Sequence, residues 1–388
     1  MKDIYLDNSA TTKLDDEVME YMSSFNKSFY ANPSSIHRFG YLVEEEIKKH
    51  TKTFADLIGA DPLELIWTSG GTESNNLAIL GYAYAHKKEG TGIITTKIEH
   101  PSVLKACEKL SSDGYDVKYL DVDSTGHIDL KALEENITGN TILVSIMYVN
   151  NEIGSVQDID AIGKLIKEKN KNTAFHVDFV QGFGKYKVTC KKNHIDFLSI
   201  SSHKFNGPKG VGALYKKNEK RILPLSYGGG QQQGLRSGTL NTLGIVGMVE
   251  AAKKYYDGFD DINSRLLRIR DYLIDSLANL SNKYDNIYIN TKKDSSFAPH
   301  IVSVSFKGIR SEVLVHALEE KGIYVSSGSA CSSHSKKVSD TLVAIGLDKN
   351  LIDSTIRVSL GRYNDIGEID TFITELDKLI PSLDIRKR

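Results

Sequence analysis

Short apolar blocks alternate with longer amphipathic stretches through the first two thirds of the chain. Leu65-Ile66-Trp67-Thr68 reads as a strand and is followed by a helical pattern from Thr72. Next come Ile93-Ile94-Thr95, a helix from about Pro101, a strand over 117–122, a short helix and an apolar strand over 142–147. A helical stretch over 158–169 leads to strands at 174–178 and 197–200. Short strands alternating with longer helices predict βαβ units and a mostly parallel sheet with helices on both faces.

The pattern changes after one long helical run over 242–280. Strands are predicted at 287–289, 301–306, 324–325 and 356–358, spaced by helices at about 311–321, 339–345 and 367–380. This order predicts a smaller α+β domain. The boundary is expected near Asp260, giving a large domain over 15–260 and a small domain built from 1–14 and 261–388.

Composition narrows the reading without redirecting it. A chain of 388 residues suits two domains, and 40% hydrophobic with 26% charged residues is ordinary for a globular protein. The formal net charge of -1 gives no global attraction to nucleic acid or to an anionic membrane. No apolar leader follows Met1, and the stretch over 141–149 falls short of the ~20 apolar residues a spanning helix needs. A soluble, cytoplasmic protein is expected. The three cysteines, Cys107, Cys190 and Cys331, lie far apart, so neither a disulfide framework nor a zinc site is expected, and no metal.

Five segments could carry chemistry. Thr68-Ser69-Gly70-Gly71-Thr72-Glu73-Ser74-Asn75-Asn76 passes from a strand into a helix; it is either a tight turn with a cap or a cradle for an anion at the helix N-terminus. His176-Val177-Asp178-Phe179-Val180-Gln181 ends a strand on an acid, where open α/β sheets bind ligands. Alternation puts Asp178 and Val180 on one face and Phe179 on the other. Ser201-Ser202-His203-Lys204 follows another strand and brings a lysine, which can form a Schiff base when buried beside a cofactor, to the same sheet edge. Taken singly, an acid ending a strand is a cap and a loop lysine is a solvated charge.

The fourth segment, Ser326-Ser327-Gly328-Ser329-Ala330-Cys331-Ser332-Ser333-His334-Ser335, is too small and polar for a packed element. It reads as an exposed loop presenting a reactive thiol at Cys331. Cys107 instead sits in the helical apolar stripe of Val103, Leu104 and Leu110, and Cys190 lies in a polar connection without a signal. In the fifth, Arg357 alternates with Ile356 and Val358, so its fork either points outward or clasps a carboxylate in a cleft.

The order of these segments resembles the cysteine desulfurases of the NifS/IscS type, class-V aminotransferase-like enzymes of fold-type I, over essentially the whole chain. The resemblance also rests on Tyr5-Leu6-Asp7-Asn8-Ser9-Ala10-Thr11-Thr12, Asn32-Pro33-Ser34-Ser35-Ile36-His37, Glu99-His100, Val149-Asn150-Asn151-Glu152-Ile153-Gly154, Gly228-Gly229-Gly230 and Arg236-Ser237-Gly238-Thr239. It implies a pyridoxal 5'-phosphate enzyme working as a homodimer. Lys204 would bond the cofactor, Asp178 pair with its ring nitrogen, His100 stack on the ring and move protons, and Gln181 contact the phenolic oxygen. Gly71, Thr72, Ser201 and His203 would hold the phosphate together with Thr239 of the partner subunit. Asn151 would touch cofactor and substrate, and Arg357 would grip the carboxylate of L-cysteine. Cys331 would take the sulfur as a persulfide, leaving L-alanine.

The sulfur would pass to an acceptor protein: an iron–sulfur scaffold, a tRNA-thiolation enzyme or a thiamine-pathway carrier. No direct nucleic-acid or membrane partner is implied. Phe179, Ser202 and Val338 depart from the usual residues of the family. The chain ends at Arg388, so it is expected to lack the longer tail by which some members dock a scaffold. The rivals are another pyridoxal enzyme on the same fold, such as a transaminase or a selenocysteine lyase, and a non-catalytic sulfur-carrier hub.

Overall fold

The computed structural model describes residues 3–327 and 338–384. Cys331 lies outside the described residues.

A short strand β1 (Ile4–Tyr5) precedes two helices, α1 (Asp16–Ser28) and α2 (Arg38–Ile58). Neither helix is anticipated above. Both begin on a side-chain cap: Asp15 accepts from Glu17 and Val18, and His37 accepts from the Gly40 amide. Strand β2 (Leu65–Thr68) and helix α3 (Gly71–His86) follow, then β3 (Gly92–Thr96), α4 (Pro101–Ser112), β4 (Asp116–Leu120) and α5 (Leu130–Asn136). Next are β5 (Thr141–Met147), α6 (Ile159–Lys169), β6 (Ala174–Asp178), β7 (Phe197–Ser201) and β8 (Gly212–Lys216).

Strands β2 to β8 form one seven-stranded sheet in the order β2-β8-β7-β6-β5-β3-β4. Strands β7, β6, β5, β3 and β4 pair in parallel, and β8 runs antiparallel between β7 and β2. The expected α/β architecture with a mostly parallel sheet is therefore present. Residues of β5, β6, β7 and β8 are buried throughout, as strands covered on both faces must be.

The helical run expected over 242–280 is two helices, α7 (Thr242–Asp257) and α8 (Phe259–Ser281), meeting at Gly258. A four-stranded antiparallel sheet follows, built from β9 (Ile287–Ile289), β10 (Ile301–Phe306), β12 (Ser326–Ser327) and β13 (Thr355–Ser359). Its helices are α9 (Ser311–Glu319), α10 (Asp340–Ala344), α11 (Lys349–Ile352) and α12 (Ile366–Leu383). The strand expected at 324–325 is split: β11 (Ile323–Tyr324) pairs with β1, and β12 pairs with β13.

Ile4 and Leu6 are buried in one apolar core with Leu273, Val304, Ile356 and Phe372, whereas Phe54, Val144, Phe175 and Val249 belong to another. Among the described residues no helix is long and apolar enough to cross a membrane.

Candidate active site

Strands β2, β3, β5, β6 and β7 run the same way, so their carboxyl ends lie along one edge of the sheet. That edge presents Gly71 and Thr72 after β2, His100 after β3, Asp178 at the end of β6, Ser201 at the end of β7, and His203 and Lys204 just beyond it. Arg357 arrives from β13 of the other sheet, and Asn151 from the connection after β5. All of these, with Val180 and Gln181, line one cavity of about 380 Å³, a size suited to a small organic ligand. Thr239 is exposed and does not line it.

At the Gly71 end the helix α3 begins, with its amide groups unpaired by the helix itself. A Cβ at Gly71 would stand 2.7 Å from Cγ2 of Val180, so a side chain here would close the cavity wall. Gly71, Thr72, Ser201 and His203 also line an adjoining cleft of about 370 Å³ with Thr11 and Lys209. Burial, and then the Lys204 and Lys209 charges, lower the His203 pKa to about 4, which keeps its ring neutral.

The Asp178 carboxylate accepts from Asn75 Nδ2 at 2.8 Å and from the Val180 amide at 3.0 Å. Val180 faces the cavity while Phe179 is fully buried against Tyr148 and Phe183, as the alternation predicts. His100 caps α4: its Nδ1 accepts from the Ser102 amide at 3.1 Å and lies 2.7 Å from the Ser102 hydroxyl. With Nδ1 accepting, the neutral ring carries its proton on Nε2. Burial lowers the pKa of His100, opposed by the Asp178 charge.

Lys204 Nζ donates to the carbonyls of Ser9 at 2.5 Å and Ala10 at 2.8 Å. Gln181 Nε2 donates to the same Ser9 carbonyl at 3.0 Å. Arg357 donates from Nη1 to the Asn151 carbonyl at 2.9 Å and from Nη2 to the Asp7 carboxylate at 2.7 Å, while its buried Nε has no partner among the described residues.

The match to known proteins is broad. The family model described as Aminotransferase class-V matches residues 4–372. A "Cysteine desulfurase IscS" of Proteus mirabilis is 44% identical over 385 residues, covering 98% of this chain and 93% of that relative. The chain belongs to the cysteine desulfurase family. The enzyme of the same name from Shewanella loihica is 43% identical over 385 residues, again covering 98% and 93%. A solved structure titled "NIFS-LIKE PROTEIN" is 38% identical with a TM-score of 0.92, covering 98% of this chain and all of that one. Another, "SspA in complex with cysteine", is 35% identical with a TM-score of 0.80, covering 93% and 100%.

Members of this family depend on pyridoxal phosphate, and the cavity fits that group. It combines an amine, a buried carboxylate for a ring nitrogen, and a glycine-opened helix N-terminus flanked by hydroxyls for a phosphate. Among the described residues no group of three or more His, Cys, Asp or Glu could hold a metal ion.

The sequence reading left several neighbours without a role. Asn75 bridges Asp178 to the Ser102 hydroxyl (2.9 Å), and so to His100. Asp7, Ser9 and Ala10 form the cavity wall that receives Arg357 and Lys204. Glu152 is half-buried beside Asn151; desolvation raises its pKa to about 7, and it accepts from the Ser339 hydroxyl at 2.5 Å. Ser326, paired with Arg357 in the sheet, also lines the cavity.

The other cysteines are unsuited to chemistry. Cys107 is buried in α4 as expected, its thiol pushed up to about 12 by burial. Cys190, in a locally polar stretch, proves equally buried, and its thiol too is raised by desolvation. Of the departures from the family, Phe179 is core, Val338 is exposed, and the buried Ser202 hydroxyl has no partner among the described residues.

Proposed function

We propose that the protein takes sulfur from L-cysteine, releases L-alanine, and carries the sulfur as a persulfide on Cys331. What supports this reading is the convergence of Lys204, Asp178, His100 and Arg357, from four separated chain segments, on one cavity of family-typical make-up.

Pyridoxal phosphate, when bound, supplies an electron sink for the charge left as the Cα–H bond of an amino acid breaks. Lys204 would bond it through Nζ and, once released, take the Cα proton. Asp178 would hold a proton on the ring nitrogen, and Gln181 would donate toward the phenolic oxygen. Gly71, Thr72, Ser201 and His203 would hold the phosphate, together with Thr239 of the partner subunit. His100, whose pKa burial lowers, would cover the ring and move protons at Nε2. Arg357 and Asn151 fix the substrate carboxylate. The Cys331 thiolate forms a bond to the substrate sulfur as the Cβ–S bond breaks. Cβ keeps that electron pair and takes a proton, Lys204 returns a proton to Cα, and alanine departs.

Residues 15–260 are read as the large domain and 1–14 with 261–388 as the small one, in line with the two apolar cores. A homodimer in the cytoplasm is the working assembly, and an iron–sulfur scaffold or a tRNA-thiolation enzyme accepts the sulfur.

The test is alanine release from cysteine, with mass spectrometry of the treated protein. Wild type is expected to release alanine and gain sulfur at Cys331. Cys331→Ser should keep the cofactor and lose both, because a hydroxyl is a far weaker nucleophile toward sulfur. Added sulfur on Cys107 or Cys190, or undiminished alanine from the serine variant, would overturn the assignment.

A further inference from the structure

Lys185 is a buried cation one step behind the cavity. It is 6% exposed, and among the described residues no carboxylate pairs with it. Its Nζ donates to the main-chain carbonyl of Lys204 at 2.7 Å. The turn that delivers it begins at Gln181: the Lys185 amide bonds the Gly182 carbonyl at 3.0 Å, and Gly184 has φ +76°. A Cβ at Gly184 would stand 2.6 Å from the Tyr255 ring, so only glycine permits this approach to α7.

The same ring fixes the other side of the lysine turn. Tyr255 lies 5.4 Å from Lys185 Nζ, and its hydroxyl donates to Asn206 Oδ1 at 2.8 Å. Asn206 stands two residues after Lys204 in the left-handed region, φ +59°, and its amide is tied to Thr12 Oγ1 at 2.7 Å. Residues 204–206 are thus clamped by Lys185, Tyr255 and Thr12, none of which lines the cavity.

We propose that Lys185 is a positioning residue for Lys204, holding its main-chain carbonyl and so the direction in which the cofactor-bonding side chain leaves the turn. The proposal rests on the reading of Lys204 given above.

The choice of residue is informative. Burial, reinforced by the Lys204 charge, lowers the Lys185 pKa to about 7. The groups around it give no relief. Lys204 and Arg362, the latter on the Tyr255 ring at 5.5 Å, are cations, and burial holds His300 neutral far below its ordinary value. A methionine would fill the space without this penalty but could not reach a carbonyl with a donor. Between about 7 and the ordinary lysine value of 10.5 the unfolded chain binds one more proton than the folded one. Through this group stability therefore rises with pH in that window.

The experiment uses the holoenzyme and Lys185→Met, with Lys185→Gln as a second variant that keeps an N–H donor without the charge. Expected for the methionine variant is a kcat lower by roughly 10- to 100-fold, the scale of a small misplacement of a reacting group, with KM for cysteine within about twofold. Borohydride reduction should still trap the cofactor on Lys204, and the rise in stability from neutral to alkaline pH should flatten relative to wild type. The glutamine variant should show the same split with a smaller loss. An unchanged kcat, a rise in KM matching the fall in kcat, an unaltered stability profile, or failure of both variants to fold would overturn the proposal. Cofactor trapped on Lys185 in the wild type would instead overturn the reading of Lys204 beneath it.

Discussion

Asp178 and Arg357 line the same cavity, yet their charges are held in different ways. Around Asp178 the partners are neutral: an amide side chain and a backbone N–H, with no lysine or arginine paired to it among the described residues. Asn75 extends the arrangement through Ser102 to His100, all on α3, α4 and β6, around one sheet edge. Arg357 is held by a carboxylate, Asp7, which lies 350 residues away in sequence, and by the Asn151 carbonyl. The first end keeps its full negative charge available for a cationic ring nitrogen. The second keeps a resident carboxylate where a substrate carboxylate would bind. On the proposed function, one end would be preorganised for a permanent occupant and the other for an exchangeable one.

The comparison breaks most visibly at Asp178. Asp178→Asn keeps the shape but removes the charge, and turnover is expected to fall by roughly 10²–10³, the range for loss of one preorganised electrostatic group. Steady-state alanine release by cofactor-saturated protein measures it; a loss under tenfold would mean that the carboxylate does not act on the ring. Arg357→Ala should act on the other axis. Losing charge-assisted hydrogen bonds of about 1.5–3 kcal/mol predicts a KM for cysteine higher by roughly ten- to hundredfold with a smaller change in kcat. An unchanged KM would take Arg357 out of the substrate site.

The two ends were not equally legible in the sequence. Strands β5, β6 and β7 are continuous apolar runs, so the sheet edge and the placement of Asp178, Ser201 and Lys204 follow from local pattern. The turn from Asp178 to Val180 even gives the facing of Phe179. Asp7 had no local signal, because its partner is fixed only when β1 pairs with β11 and the N-terminus crosses beside β13. Asn75 looked like one more polar helix residue, since its function is a bond across 103 positions. Strand β8 escaped notice behind the lysine turn, and Cys190 behind polar neighbours, for the same reason: burial there is decided by other segments. Cys331 lies outside the described residues, and its role rests on its loop composition and the family.

Asp7→Asn sharpens the exchangeable end. In the protein without cofactor or substrate, Arg357 would lose its charged partner, and stability should fall by about 1.5–3 kcal/mol, read from urea unfolding. In the loaded enzyme the same change removes the competitor for Nη2, so KM for cysteine should fall. A rise in KM would show that Asp7 aims Arg357 at the substrate instead of standing in for it.

The smallest effect is expected at Glu99, behind the preorganised end. Its Oε1 accepts from the Thr96 hydroxyl at 2.7 Å and the Met147 amide at 3.0 Å, while its buried Oε2 has no partner among the described residues. Burial, with the nearby Asp178 charge, raises its pKa from 4.5 to about 8, so at neutral pH it is a neutral acid. A second full charge here would compete with Asp178 for the same surroundings; a neutral group leaves Asp178 as the only negative charge of the pair. Glu99→Gln imitates the protonated form and should leave alanine release at neutral pH within about twofold of wild type, as a change without a charge difference should. The difference emerges on raising the pH. Between 4.5 and about 8 the folded wild type binds one more proton than the unfolded chain, so through this group its stability falls as pH rises. The glutamine variant cannot titrate and should lose that decline, pulling ahead of the wild type from about pH 4.5 upward, with the gap complete by about pH 8. Thermal unfolding across the pH series decides the matter: parallel curves for the two proteins would mean that Glu99 is ionised in the fold, and that the floor beneath Asp178 is not neutral after all.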